Sequence, residues 1–211
     1  RKLKSSGLIE RNLTEAGVSI VNVANTAFLR YSRIFLRNAE PHMDIPIAIV
    51  TDSDIREYQK QKKDDYQKVD EDQFVKATAE KISNLEDEYN DQLVEVFVAP
   101  KWTLEYSLLQ SKSLSANFQE IVERIHSGTD FENFEEELAK KLINKGLKKT
   151  EIAYQLAQKL DDDSQVENEK RLAQESDDKK ADELPNPEII FQKDDEGIQY
   201  LIDAIKYACR N

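Results

Sequence analysis

Three short runs rich in Val and Ile constrain this chain more than anything else in it: residues 18–23 (VSIVNV), 45–51 (IPIAIVT) and 93–98 (LVEVFV). Each is short, nearly continuous in apolar side chains and bounded by turn-forming residues, which is how a strand buried on both faces reads. The intervening segments have helical spacing. Around residues 27–37, Phe28, Tyr31 and Phe35 share one stripe while Arg30, Arg33 and Arg37 share another. Residues 56–90 are highly charged, but Phe74, Ala77, Ile82 and Leu85 in their later part form an amphipathic pattern. Strand, helix, strand, helix, strand implies right-handed crossovers, hence an α/β fold with a parallel sheet flanked by helices.

From Trp102 onward the chain reads as helical. Phe118, Ile121, Val122 and Ile125 supply one core-facing stripe, Phe134, Leu138 and Leu142 a second, and Ile152, Leu156 and Leu160 a third. Gly146 suits a helix C-cap, with the next helix opening near Thr150. A segment near 161–185 is dense in Asp, Glu, Gln, Lys and Ser, and reads as a solvated helix or a linker. Ile198, Leu201, Ile202, Ile205 and Tyr207 predict a last helix that docks back. The division expected is a sheet-bearing core over residues 1–110 and a helical C-terminal appendage over 111–211.

Charge narrows the function classes. Thirty Lys and Arg against 42 Asp and Glu leave a formal net charge of −12, which excludes a protein that coats nucleic acid by bulk attraction; any DNA contact has to be local. No apolar run approaches the roughly 20 residues a bilayer span needs, and no signal peptide opens the chain, so no membrane partner is expected. Cys209 is the single cysteine, which fits a reducing cytoplasmic location. The chain opens on Arg1 and its one methionine is Met43, so upstream parts of a larger protein are expected.

The second apolar run leads directly into Asp52-Ser53-Asp54. Strand side chains repeat every second residue, so both carboxylates are expected to project from one side, about 6–7 Å apart. A cation between them would remove their repulsion, and oxygen-only ligands favour Mg²⁺, Mn²⁺ or Ca²⁺. A helix cap after the strand is the equal alternative. After the third run comes Trp102-Thr103-Leu104-Glu105. Strand ends of a parallel sheet open on one edge, so Thr103 and Glu105 can lie near Asp52 and Asp54 and begin a coordination shell. For Glu105 the plain alternative is a first-turn acid favoured by the helix dipole, and for Trp102 a packing role.

Together, GVSIVNV (17–23), FLRYSRIF (28–35), PIAIVTDSD (46–54) and WTLEY (102–106) resemble the Toprim nuclease domain of OLD-family ATP-dependent endonucleases, some of whose relatives act in anti-phage defence. The likeness covers residues 13–110, and more weakly 149–153 and 200–209. It implies a Toprim-like sheet, with Asp52 and Asp54 as the metal-binding DxD pair and Thr103 and Glu105 as a hydroxyl-x-Glu metal site. Lys149 matches a lysine that stabilises charge on the phosphate, with Lys148 as the alternative. DNA is the implied substrate, a homo-oligomer the implied assembly, and ATP the implied cofactor of an upstream ABC-type ATPase domain. The five glycines here are too widely spaced for a phosphate-cradling loop, so ATP hydrolysis is not assigned to this chain. The family's first strand, followed by a glutamate-bearing turn, is expected upstream of Arg1. Its glycine turn corresponds to Ala24-Asn25.

The resulting expectation is a metal-dependent DNA endonuclease domain hydrolysing phosphodiesters with two divalent ions about 3.5–4 Å apart. Two alternatives stay open. One is a DxD phosphotransferase or phosphatase of the haloacid-dehalogenase type, with Asp52 as nucleophile. The other is a non-catalytic assembly module with a degenerate site.

Overall fold

The computed structural model describes residues 1–23, 28–62, 65–176 and 184–210. Two of the three apolar runs form strands, β1 (Ile47–Thr51) and β4 (Val94–Val98), which pair in parallel with Ile47 opposite Val94 and Thr51 opposite Val98. Between them lie a hairpin, β2 (Tyr58–Lys62) with β3 (Asp65–Lys68), and a helix, α3 (Glu71–Tyr89). The fold is mixed α/β around a small parallel sheet of two strands.

Strand alternation decides which side each helix covers. Val94, Val96 and Val98 of β4 are buried with Ile49, Leu85 and Tyr89, which seats α3 on one face. Phe97 points the other way and meets Tyr207 at 5.7 Å between ring centroids. Tyr207 belongs to α8 (Gln199–Cys209), which packs on both strands as the expected docking helix. Asp70 starts α3 by accepting the Gln73 N–H at 3.1 Å, with Glu71 and Asp72 in the positive first turn.

The run at 18–23 is not a strand. Its backbone joins no ladder, and Ile20 and Val21 are 80% and 72% exposed. Apolar composition alone does not make a strand; an edge must supply hydrogen bonds, and among the described residues Val18 bonds only back to Leu13. The helix near residues 27–37 is reduced to α2 (Phe28–Ser32), and the turn expected at 24–25 lies outside the described residues.

Four further helices follow: α4 (Leu104–Leu109), α5 (Ser115–Ile125), α6 (Phe134–Ile143) and α7 (Lys149–Glu175). Together with the short N-terminal α1 (Lys2–Ser5) and the segment after it, they enclose the larger core. Leu8, Trp102, Tyr106, Phe118, Ile121, Leu138, Ile152 and Ile202 meet there, so this core draws on both sides of residue 110. The charged stretch after 160 continues α7 as helix as far as Glu175. The end of α6 is closed one residue earlier than expected. Lys145 takes the left-handed position (φ 54°), its N–H bonds Leu142 O, and the Gly146 N–H bonds Lys141 O, which is a Schellman closure. Among the described residues no helix is long and apolar enough to cross a membrane.

Candidate functional site

Parallel pairing brings the ends of β1 and β4 to one edge, where the Ala99 N–H still bonds Thr51 O at 2.9 Å. The chains leaving the two strands are then stitched together. Leu104 N–H donates to Asp52 Oδ1 at 2.8 Å, Asp54 N–H donates to Trp102 O at 3.0 Å, and the fully buried Ser53 hydroxyl approaches the same carbonyl at 3.4 Å. Asp54 and Trp102 both hold positive φ, 59° and 33°. Left-handed backbone at two non-glycine residues carries strain, and here it sits at the crossing of the two loops.

That geometry corrects one expectation. Because β1 stops at Thr51 and Asp54 turns left-handed, strand alternation does not carry through, and the two aspartates have different surroundings. Asp52 is partly buried against the start of α4, whereas Asp54 is exposed on a neighbouring groove. They remain close enough to repel. Burial pushes the Asp52 carboxyl above its ordinary pKa. The Leu104 N–H and Lys149 pull it back, while Glu105 and Asp54 push the same way as burial.

Thr103 is the N-cap of α4, its hydroxyl accepting the Tyr106 N–H at 3.4 Å, and it is buried. Glu105 lies in the first turn of that helix, where a carboxylate is favoured by the helix dipole. Lys149, the first residue of α7, reaches it with Nζ 2.9 Å from Glu105 Oε2. Lys148 instead faces Glu151 at 3.5 Å. The Lys149 side chain is 48% exposed, so the pair holds with a fraction of a kcal/mol to about 1 kcal/mol and can be opened by a ligand.

A residue that the sequence did not single out also belongs here. Tyr200, in the first turn of α8, is kept protonated by burial and by the charges of Asp52 and Glu105. In the sequence it merges into an apolar stripe; only the docking of α8 on the sheet brings it to the strand ends. Trp102 packs inside, 5% exposed and 5.6 Å from the Tyr106 ring, and does not offer a stacking face.

The donor chemistry, oxygen only, suits a hard divalent ion, and such an ion would offset the burial, and with it the repulsion from Glu105 and Asp54, that raises Asp52. Among the described residues, however, no three acidic, His or Cys side chains form a ready ligand group. One oxygen of Asp52 is engaged by a backbone N–H and Glu105 is engaged by Lys149. A cation would therefore draw on Asp52, Asp54 and Glu105 after Lys149 lets go.

Comparison with protein-family models, with curated proteins and with solved structures returns no match.

Proposed function

We propose that this chain is the Toprim-like nuclease portion of an OLD-family protein and cleaves phosphodiester bonds in DNA with Mg²⁺ or Mn²⁺. The observation that carries the reading is the meeting of three segments far apart in sequence. Asp52 is tied to the start of α4 at 2.8 Å, and Glu105 of that helix is tied to Lys149 at 2.9 Å. Acids from two strand ends, which can hold a divalent ion, and a lysine from a third element, which can meet charge on a phosphate, form a set suited to handling a phosphodiester.

In this reading Asp52, Asp54 and Glu105 hold the metal, and Thr103 fixes the helix that presents Glu105. A bound divalent ion supplies activation of water and neutralisation of phosphate charge. Lys149 changes partner from Glu105 to a phosphoryl oxygen, carrying positive charge to where negative charge develops. Tyr200, kept as a phenol, donates a hydrogen bond and adds no charge. Nucleotide hydrolysis belongs to an ABC-type ATPase domain outside this chain.

A second reading, a degenerate site within an assembly module, is favoured by two observations: among the described residues no three His, Cys, Asp or Glu side chains converge, and Glu105 already has a cationic partner. Plasmid cleavage by the full-length protein with Mg²⁺ or Mn²⁺, paired with calorimetry of metal binding, separates the two. The nuclease reading expects metal-dependent nicking that falls at least 100-fold in Asp52→Ala and Glu105→Ala, with the melting temperature retained. Absence of both metal binding and cleavage in the wild type overturns it.

A further inference from the structure

Beside the acidic strand ends runs an open groove of ≈ 800 Å³ between the loop after β1 and the α6–α7 junction. Its lining includes five cations: Arg56, Lys141, Lys145, Lys148 and Lys149. Asp54 and Glu151 are its acids. In a chain with a net charge of −12, that inversion of sign is local and marked. Two of the cations, Arg56 and Lys145, are exposed and have no carboxylate partner among the described residues. Among the described residues the ammonium of Lys148 pairs with Glu151 at 3.5 Å, itself solvent-exposed, and Lys141 is oriented by a 2.8 Å bond to the Thr129 hydroxyl. The left-handed closure of α6 projects Lys145 at the turn, and the closing bonds from Lys145 and Gly146 fix that turn.

We propose that this groove is the track for a nucleic-acid backbone, holding the phosphates that flank the one presented to Asp52 and Glu105. The inference rests on the reading of the acidic edge for its direction, because Asp54 lines both. It rests on the groove's own cations for its chemistry. Lysines serve as point charges that follow a string of phosphates without demanding a fixed orientation. The net negative charge of the chain as a whole disfavours the same polymer elsewhere and favours this path. An acidic peptide is the poorer fit, since the apolar lining reduces to Leu142, Leu147 and Trp102, of which Trp102 is buried.

The test is binding of a fluorescent 20-nucleotide DNA duplex and its single strand by the full chain in EDTA, from 50 to 200 mM salt. Without metal no cleavage occurs, so the result is independent of whether the acidic edge is catalytic. Arg56→Gln/Lys145→Asn is expected to weaken binding of at least one form tenfold or more at 100 mM salt and to lower the salt slope by about 2. Asn tolerates the left-handed backbone at position 145. The charge-matched control Lys170→Gln/Arg171→Asn lies over 30 Å further along α7 at about 1.5 Å per residue, and is expected to bind as wild type. Equal losses in both pairs, no binding of either DNA by wild type, or full competition by inorganic phosphate or a poly-glutamate peptide at the DNA's own phosphate or carboxylate concentration would overturn the proposal. If DNA binds here but metal and cleavage are absent, the track stands and the nuclease reading falls.

Discussion

Gly197→Ala tests how α8 is seated, and its cost follows from the packing. Gly197 lies just before α8, against the α4–α5 junction, where a Cβ would stand 2.6 Å from Ser107 O, 2.6 Å from Ser111 N and 2.7 Å from Ser111 Cα. Ordinary contact begins near 3.4 Å, so the methyl intrudes by about 0.8 Å on backbone atoms that have no rotamer to escape into. The loop has little freedom to retreat. Two residues earlier the fully buried Asp195 accepts the Ser111 hydroxyl at 2.7 Å and the N–H groups of Lys112 and Ser113 at 3.1 and 2.9 Å. Overpacking of this kind costs about 3 kcal/mol, the upper end of the usual range. The smaller entropy of an unfolded chain with Ala in place of Gly returns about 0.4–1 kcal/mol. A net loss of about 2 kcal/mol lowers the melting temperature of a chain this size by about 4–8 °C. Thermal unfolding followed by circular dichroism or calorimetry measures it, with Gly128→Ala, which meets no atom within 4 Å, as the neutral comparison. A Gly197→Ala variant that melts within about 1 °C of wild type refutes the close approach.

Two further outcomes follow from buried charge. Lys2 is 6% exposed and its Nζ lies 2.6 Å from Asp163 and 2.8 Å from Glu167, fastening the N-terminal segment to α7. Lys2→Met leaves the Asp163 charge uncompensated and costs about 3 kcal/mol in urea denaturation; a loss under 1 kcal/mol would show that the pair is not formed. Burial pulls the Lys2 ammonium down, but its two carboxylate partners outweigh that and raise it, so the pair's contribution is complete below pH 10.5 and fades as pH rises through the folded value. His126 has the opposite sign. Burial, then Lys141 and Lys148, push its pKa below 6.5, so the stability tied to its neutral form is present above that pH and lost as pH falls through the folded value. An NMR titration of the His126 ring midpoint checks this, and His126→Gln is expected to flatten the fall in melting temperature between pH 6.5 and 5; a midpoint at or above 6.5 overturns the assignment.

How much of this was legible depends on what each element leans on. The β1 and β4 runs declare themselves because Ile, Val and Phe at most of their positions favour a strand shielded from water. Residues 18–23 look the same in composition, yet Ile20 and Val21 stay in solvent because no ladder takes them up. The hairpin Tyr58–Lys62 with Asp65–Lys68 escaped notice for the converse reason. It is Lys- and Gln-rich, and α6 holds it from outside, through Asn144 Nδ2 donating to the Tyr66 hydroxyl at 2.7 Å and Lys68 pairing with Glu135 at 2.7 Å. At the candidate site, the approach of Asp52 to the start of α4 is a consequence of parallel strand ends. The divergence of Asp54 from Asp52 is not, because Asp visits the left-handed region more readily than most residues but only at a small minority of its positions, so the residue type alone does not mark the turn. Tyr200 was equally hidden, since its place depends on a helix about 100 residues beyond β4 in sequence.

That separation sets an order of assembly. During synthesis Phe97 leaves the ribosome about 110 residues ahead of Tyr207, the ring it will meet, which at 5–20 residues per second is roughly 5–20 s. Over that interval α3 can cover its own side of the strands, while the other side waits bare, a transient greasy surface of the kind that chaperones hold until the missing helix arrives.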